Sequence, residues 1–282
     1  MPNQASFPHR RIGSKKEFEI NHYREANFQA PRFHMHDFYE IYLFVDGKVK
    51  YYIEENSYEL IPGDILMIPP GKMHRPVISN PEAIYERIVL GINPGFIKTL
   101  ESSESPISEV LRELDSEKKN LIHLNEKDFR FLKDTFSSLI HVLETKEFGN
   151  DLLKKTYLTI SFVILSRSIK SVPSNVTISE GPIPEVIRYI NQHLCENITL
   201  DDLAQRFFIS KYHLSREFKK YTQSTIFDYI ISKRIVVAKN YLREGLSGIK
   251  ACELSGFRDY SSFSKAFIKK TGISLKQFKK EK

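Results

Sequence analysis

Three histidines and one glutamate stand close together early in the chain, as His34-x-His36-x3-Glu40 and, after a Pro69-Pro70-Gly71 turn, His74. Residues two apart in an extended segment share a face, so His34, His36 and Glu40 can point into one interior, which His74 can complete. Neutral imidazoles and a carboxylate suit a divalent transition metal such as Fe, Mn, Zn or Ni. The same side chains can instead serve as hydrogen-bond partners for a small organic molecule in a pocket. A third possible role is structural, supporting packing at a polar mouth. The candidate contacts to a bound molecule are Arg32, His34, His36, Glu40, Tyr42 and His74, with Tyr52 and Glu86 as further polar neighbours. No cofactor is assigned; if a metal binds, His34, His36, Glu40 and His74 are its ligands.

A different chemistry is written near the other end. Leu214-Ser215-Arg216-x-Phe218-x-Lys220-x-Thr222 returns as Phe263-Ser264-Lys265-x-Phe267-x-Lys269-x-Thr271, and Tyr229 returns as Phe278. Each copy has an apolar stripe at helical spacing and cations on the complementary face, and each follows another short amphipathic helix. Two helix-turn-helix units in tandem are the simplest reading, and they point to DNA. Leu214 and Phe218 should be buried, leaving Lys211, Tyr212, Ser215, Arg216 and Lys219 exposed. In the second unit Phe263 and Phe267 should be buried, exposing Ser261, Ser262, Lys265, Lys269 and Lys270.

The elements that position these residues divide in two. From about Pro31 to Asn93 short apolar runs such as Ile41–Val45 and Ile65–Ile68 alternate with turn signals, including Asp46-Gly47 and Pro62-Gly63-Asp64. Many short strands between Gly/Pro turns argue for a small barrel or sandwich, while residues 1–30 look weakly structured. Apolar spacing predicts helices over 126–147 and 151–169. The second is apolar over much of its circumference and should pack on the barrel and on another helix, of this chain or of a partner subunit. Residues 170–183 read as a linker, and helices resume at Pro184, with Thr199, Ser210 and Ser247 as N-caps. The expected fold is therefore two-domain α+β: residues 1–169, a linker over 170–183, and an all-α domain over 184–282.

Charge follows the same division. The whole chain carries 42 basic and 35 acidic side chains. Residues 183–282 hold 19 and 10 of these, so the remainder is slightly acidic at 23 against 25. A basic C-terminal part joined to an acidic N-terminal one fits a nucleic-acid reader attached to a part that does not touch DNA. No run of about eighteen apolar residues exists, so no membrane span is expected. The polar N-terminus lacks an apolar leader, and the expected location is the cytoplasm. Cys195 and Cys252 both read as small core side chains of helices.

Here a resemblance becomes specific. Gly256-Phe257-Arg258-Asp259-Tyr260-Ser261-Ser262-Phe263-Ser264-Lys265-Ala266-Phe267-x3-Thr271-Gly272, with Arg234-x3-Ala238-x2-Tyr241-Leu242 ahead of it, resembles the signature of the AraC/XylS family of transcription regulators. Gln223 stands where the family's first unit usually has glycine, and Leu275 where its second usually has proline. His34-x-His36-x3-Glu40-x6-Gly47 and Gly63-x5-Pro69-x-Gly71-x2-His74 resemble the two motifs of the cupin fold. The resemblance implies a cupin-like β-barrel with flanking helices that binds a small-molecule effector, often a sugar. It implies that Tyr212, Ser215 and Arg216 face bases in one major-groove segment, and Tyr260, Ser261 and Lys265 in another. Lys211, Lys219, Lys269 and Lys270 would hold phosphates. The expected function is a sequence-specific, effector-responsive transcription regulator, not an enzyme. It would be a homodimer on double-stranded DNA, contacting RNA polymerase if it activates. The alternative is a metal-binding cupin enzyme or metal sensor fused to a DNA-binding domain.

Overall fold

The computed structural model describes residues 17–31, 33–116, 120–169, 177–178 and 181–280. Two antiparallel sheets make up the N-terminal half. In the first, the spatial order is β1 (Phe18–Glu25), β7 (Tyr85–Ile92), β2 (Tyr39–Asp46), β5 (Asp64–Ile68) and β8 (Leu121–His123). In the second it is β6 (His74–Ile78), β3 (Val49–Ile53), β4 (Asn56–Glu59) and β9 (Thr177–Ile178). An isolated antiparallel bridge between His34 and His74 lays the segment before β2 alongside the edge of β6.

The centre of the first sheet is buried on both faces, which explains the unbroken apolar run of β2. Ile41, Leu43 and Val45 point to a core shared with α1 (Pro94–Ile97), α2 (Ile107–Ser116), α3 (Glu126–Glu144) and α4 (Asn150–Ser168). Tyr42 and Phe44 point the other way, into an interior shared with Tyr51, Ile53, Tyr58, Leu66 and Tyr85 from both sheets. Full burial of each large apolar side chain contributes about 1.5–3 kcal/mol. Asn125 caps α3 by accepting a hydrogen bond from the Asp128 amide. As expected, α4 packs on α3 and on the sheet side, burying Leu158, Phe162 and Leu165, while Leu152, Leu153 and Ile160 stay exposed.

Two expectations are corrected. The first thirty residues are not weakly structured throughout, because β1 pairs with β7 along all eight of its residues. As an edge strand it buries only Ile20 fully, so its sequence lacks a strong alternation. Part of the segment read as linker also has a place in the sheet, Thr177–Ile178 pairing with β4.

Seven helices follow: α5 (Pro182–Gln192), α6 (Leu200–Arg206), α7 (Lys211–Thr222), α8 (Ile226–Arg243), α9 (Gly248–Leu254), α10 (Tyr260–Thr271) and α11 (Leu275–Lys280). Their starts follow the expected caps. Thr199 forms a reciprocal capping box with Asp202, and the Ser210 and Ser247 hydroxyls accept from the His213 and Lys250 amides. The long α8 serves two cores. Tyr229, Ile230 and Val236 pack with α5, α6 and α7, whereas Ile235, Ala238 and Leu242 pack with α9, α10 and α11. Cys252 is buried in the second core, but Cys195 is exposed in the turn after α5. That turn has another use: a Cβ on Gly256 would lie 2.7 Å from the Cys195 backbone, and Gly256 has φ +83°, so only glycine fits.

Candidate DNA interface and ligand site

The two helix-turn-helix units present unequal surfaces. On α7, Leu214 and Phe218 are fully buried and Lys211, Tyr212, Ser215, Arg216 and Lys219 are exposed. The Arg216 guanidinium lies 5.9 Å from the Tyr212 ring centroid and donates 3.1 Å to Glu217. The side chain is 56% exposed, and its planar fork is of the type that matches a guanine edge. Lys211 pairs at 2.6 Å with Asp201 of α6, on the exposed surface. On α10, Phe263 and Phe267 are buried, while Tyr260, Ser261, Lys265 and Lys269 are exposed. Asp259 caps this helix by accepting from the Ser262 amide.

Lys270 departs from its expected place. Its side chain is only 7% exposed, and its ammonium donates 2.6 Å to Asp228 in the first turn of α8. It ties the second unit to the first and is withdrawn from the surface. Gln223 and Leu275, the two departures from the family pattern, both have local explanations. Gln223 closes α7 with φ +60°, the left-handed conformation that Gly272 supplies at the end of α10. Leu275 opens α11, where proline is also tolerated, and is buried in the second core.

In the N-terminal half the structure brings the histidines and the glutamate together. His36, His74 and Glu40 are buried, and three of their ligand atoms, one from each, lie within 4.8 Å of one another. His36 Nε2 is 3.3 Å and His74 Nε2 3.9 Å from the two Glu40 oxygens. The His34 ring lies 4.3 Å from that of His74 and is half-buried at the edge of the group. Each buried histidine has its other nitrogen anchored. His36 Nδ1 donates to the Phe38 carbonyl and His74 Nδ1 to the Lys72 carbonyl, both at 2.8 Å. A carbonyl only accepts, so each Nδ1 carries a hydrogen, and each Nε2 faces the Glu40 carboxylate. Among the described residues neither Nε2 has a hydrogen-bond partner.

Burial opposes charge on Glu40, yet the surrounding His36, His74 and His34 hold its carboxyl well below the usual range. Burial, with His34 and His36 alongside, pushes His74 well below the ordinary histidine value. Tyr42 points into the same interior and is hydrogen-bonded to Tyr85. Tyr52 and Glu86 face elsewhere: Tyr52 packs against Phe33 and Tyr221, and Glu86 pairs with His22, Arg24 and Lys133. Arg32 lies outside the described residues.

The halves meet through residues far apart along the chain. Glu54, buried at the β3–β4 turn with φ +54°, accepts from the Met73 amide, Asn191 and the Tyr229 hydroxyl, each at 2.6 Å, and from Lys233 at 2.8 Å. Burial opposes its charge, but Lys233 and Lys72 hold its carboxyl down at about 2. Lys233 also donates 3.0 Å to the Gly71 carbonyl. Asp37 accepts from Lys239 and, at 2.9 Å, from Arg243. Phe33, Met35 and Met73 join the core of the first helix-turn-helix unit. A Cβ on Gly71 would lie 2.8 Å from Val236 of α8. Lys233, Lys239 and Arg243, the cations of this joint, are all carried by α8.

Comparison with known proteins agrees with this division. Residues 18–159 match the AraC-like ligand binding domain, and residues 203–281 a helix-turn-helix domain. The HTH-type transcriptional regulator YbfI of Bacillus subtilis is 27% identical over 235 residues, covering 81% of this chain and 79% of its own. The lactose operon transcription activator of Staphylococcus xylosus is 24% identical, covering 85% of this chain and 82% of its own. ToxT from Vibrio cholerae aligns structurally with a TM-score of 0.38 at 17% identity, over 95% of this chain and 98% of that one. Among the described residues no helix is long and apolar enough to cross a membrane. The chain therefore belongs to the AraC family of transcription regulators, with a ligand-binding half followed by a DNA-binding one.

Proposed function

We propose that a small molecule, a sugar by preference, binds in the N-terminal half and changes how the two helix-turn-helix units are presented to DNA. The observation that carries this reading is the docking of α8 on the ligand-binding half through Glu54 and Asp37. Tyr212, Ser215 and Arg216 of α7 read one major-groove segment, and Tyr260, Ser261 and Lys265 of α10 read the next, one helical turn away. Lys211, Lys219 and Lys269 hold phosphates. The functional division runs over 1–169, 170–183 and 184–282. The exposed Leu152, Leu153 and Ile160 of α4 support a homodimer, which would join two half-site affinities. RNA polymerase is a partner if the protein activates. The sugar preference draws on relatives such as the lactose operon activator.

The test is a thermal-shift screen of the full chain against mono- and disaccharides, followed by DNA affinity with and without each ligand that stabilises. A ligand at one hundred times its Kd stabilises by about 2.7 kcal/mol. A true effector should then change DNA affinity about 5- to 150-fold. Stabilisation with unchanged DNA affinity counts against an effector role.

A further inference from the structure

We propose that Ile268 of α10 reads a thymine in the second groove segment, by contact with the C5 methyl group of that base. This rests on the reading of α10 as a base-contacting helix, and it adds an apolar contact to the polar ones assigned to that helix. Position comes first. Ile268 lies seven residues after Ser261 and three after Lys265. Residues three, four and seven apart share one face of a helix, so these three side chains stand in one row. The opposite face holds Phe263 and Phe267, both fully buried, whereas Ser261, Lys265 and Ile268 are exposed, Ile268 by 47%.

Folding supplies no reason for isoleucine at this position. Among the described residues, the core of the second unit draws Ala266 and Phe278 to its rim but not Ile268. The matching residue of the first copy, 49 positions earlier, is Lys219, which is also exposed. A β-branched isoleucine is stiffer at χ1 and a weaker helix former than lysine, so helix propensity does not select it either. Its apolar surface is left facing water on the side that the helix offers to DNA.

The chemistry of the groove then selects the contact. The isoleucine side chain has no donor, acceptor or charge, so it can neither hold a phosphate nor hydrogen-bond a base edge. The major groove presents one apolar group, the thymine methyl, and covering both surfaces removes them from water together. Three residues advance about 4.5 Å along a helix axis, and successive base pairs stack about 3.4 Å apart. The thymine therefore lies about one or two base pairs from the position that Lys265 faces. In the first copy Lys219 puts a charge in the same place in the row, so the first segment carries no such methyl requirement.

The experiment uses the full chain and duplexes that it selects from a random pool. Each thymine of the second segment is replaced, one at a time, by deoxyuridine, which lacks only the methyl group. With the unaltered protein, affinity should fall about fourfold at one thymine, as removal of one buried methyl group predicts. That thymine should lie within about two base pairs of the position whose preference Lys265→Ala erases. Ile268→Ala should bind the thymine and uracil duplexes equally. Ile268→Lys should also lose the distinction, while steepening the salt dependence by about one counterion. Thermal melts check that both variants fold, and the uracil scan of the unaltered protein stands without them. Uracil tolerated at every thymine of the second segment, with the Lys265→Ala effect preserved, overturns the methyl contact alone. The same fourfold loss persisting in a folded Ile268→Ala assigns the methyl to another residue and also overturns it. Selected duplexes with no preference in the second segment overturn this contact together with the base-reading role of α10.

Discussion

Arg216 and Lys219 share the exposed side of α7 but should fail differently when removed. Arg216→Ala should weaken binding to a selected site by about 1–3 kcal/mol with little effect on random DNA. Lys219→Ala should weaken both alike and reduce the salt dependence by about one counterion, as titration at several salt concentrations would show. Lys270→Ala should behave as neither. With its ammonium seated on Asp228, the loss should be about 1–2 kcal/mol of fold stability by denaturant melt, with an unaltered salt slope. Helical spacing put Lys270 on the surface because spacing reports which way a side chain starts, not what a long side chain can reach across helices. The exposed faces of α7 and α10 were legible, since Leu214 and Phe218, and Phe263 and Phe267, fix the opposite face by periodicity alone. The histidines and Glu40 were legible too, by two-residue alternation.

At the scale of elements, helices were read best where a cap and an apolar stripe agreed, as at Thr199, Ser210 and Ser247. The strand β1 was not, because an edge strand buries one side only and its polar residues resemble a loop. The turns carry the sharpest expectations. Gly256→Ala should destabilise the second unit by about 2 kcal/mol or more, through both its left-handed backbone and the Cys195 backbone at 2.7 Å. Gln223→Gly should act in the opposite direction, raising stability by about 0.5–1 kcal/mol, because glycine removes the cost of φ +60°. Thermal melts of both variants decide these outcomes, and a stabilised Gly256→Ala would show that the turn does not pack on Cys195 as described.

For the molecule as a whole, the joint between the halves was hidden from the sequence because its partners lie far apart along the chain. Glu54 meets Asn191, Tyr229 and Lys233 across sequence separations of 137, 175 and 179. Glu54→Gln should loosen the joint by about 2–4 kcal/mol, since it leaves the Lys233 ammonium buried without its counter-charge, and should raise hydrogen exchange along α8. The same carboxylate fixes a pH window. Its value falls from 4.5 in the free state to about 2 when docked, so its contribution is fully present above about 4.5 and is lost as pH falls toward 2. Exchange along α8 should therefore rise over that interval and not near neutrality. The docked arrangement leaves Tyr212, Ser215 and Arg216 exposed, so the joint does not cover this face of α7. In the proposed function, two unequal helices of one chain read two different groove segments. Selection of bound sequences from a random duplex pool, repeated with Arg216→Ala and Lys265→Ala, tests it most directly. Two segments one helical turn apart with different base preferences are expected, the first variant erasing one preference and the second the other. Identical preferences in both segments, or both variants blurring the same segment, would contradict it.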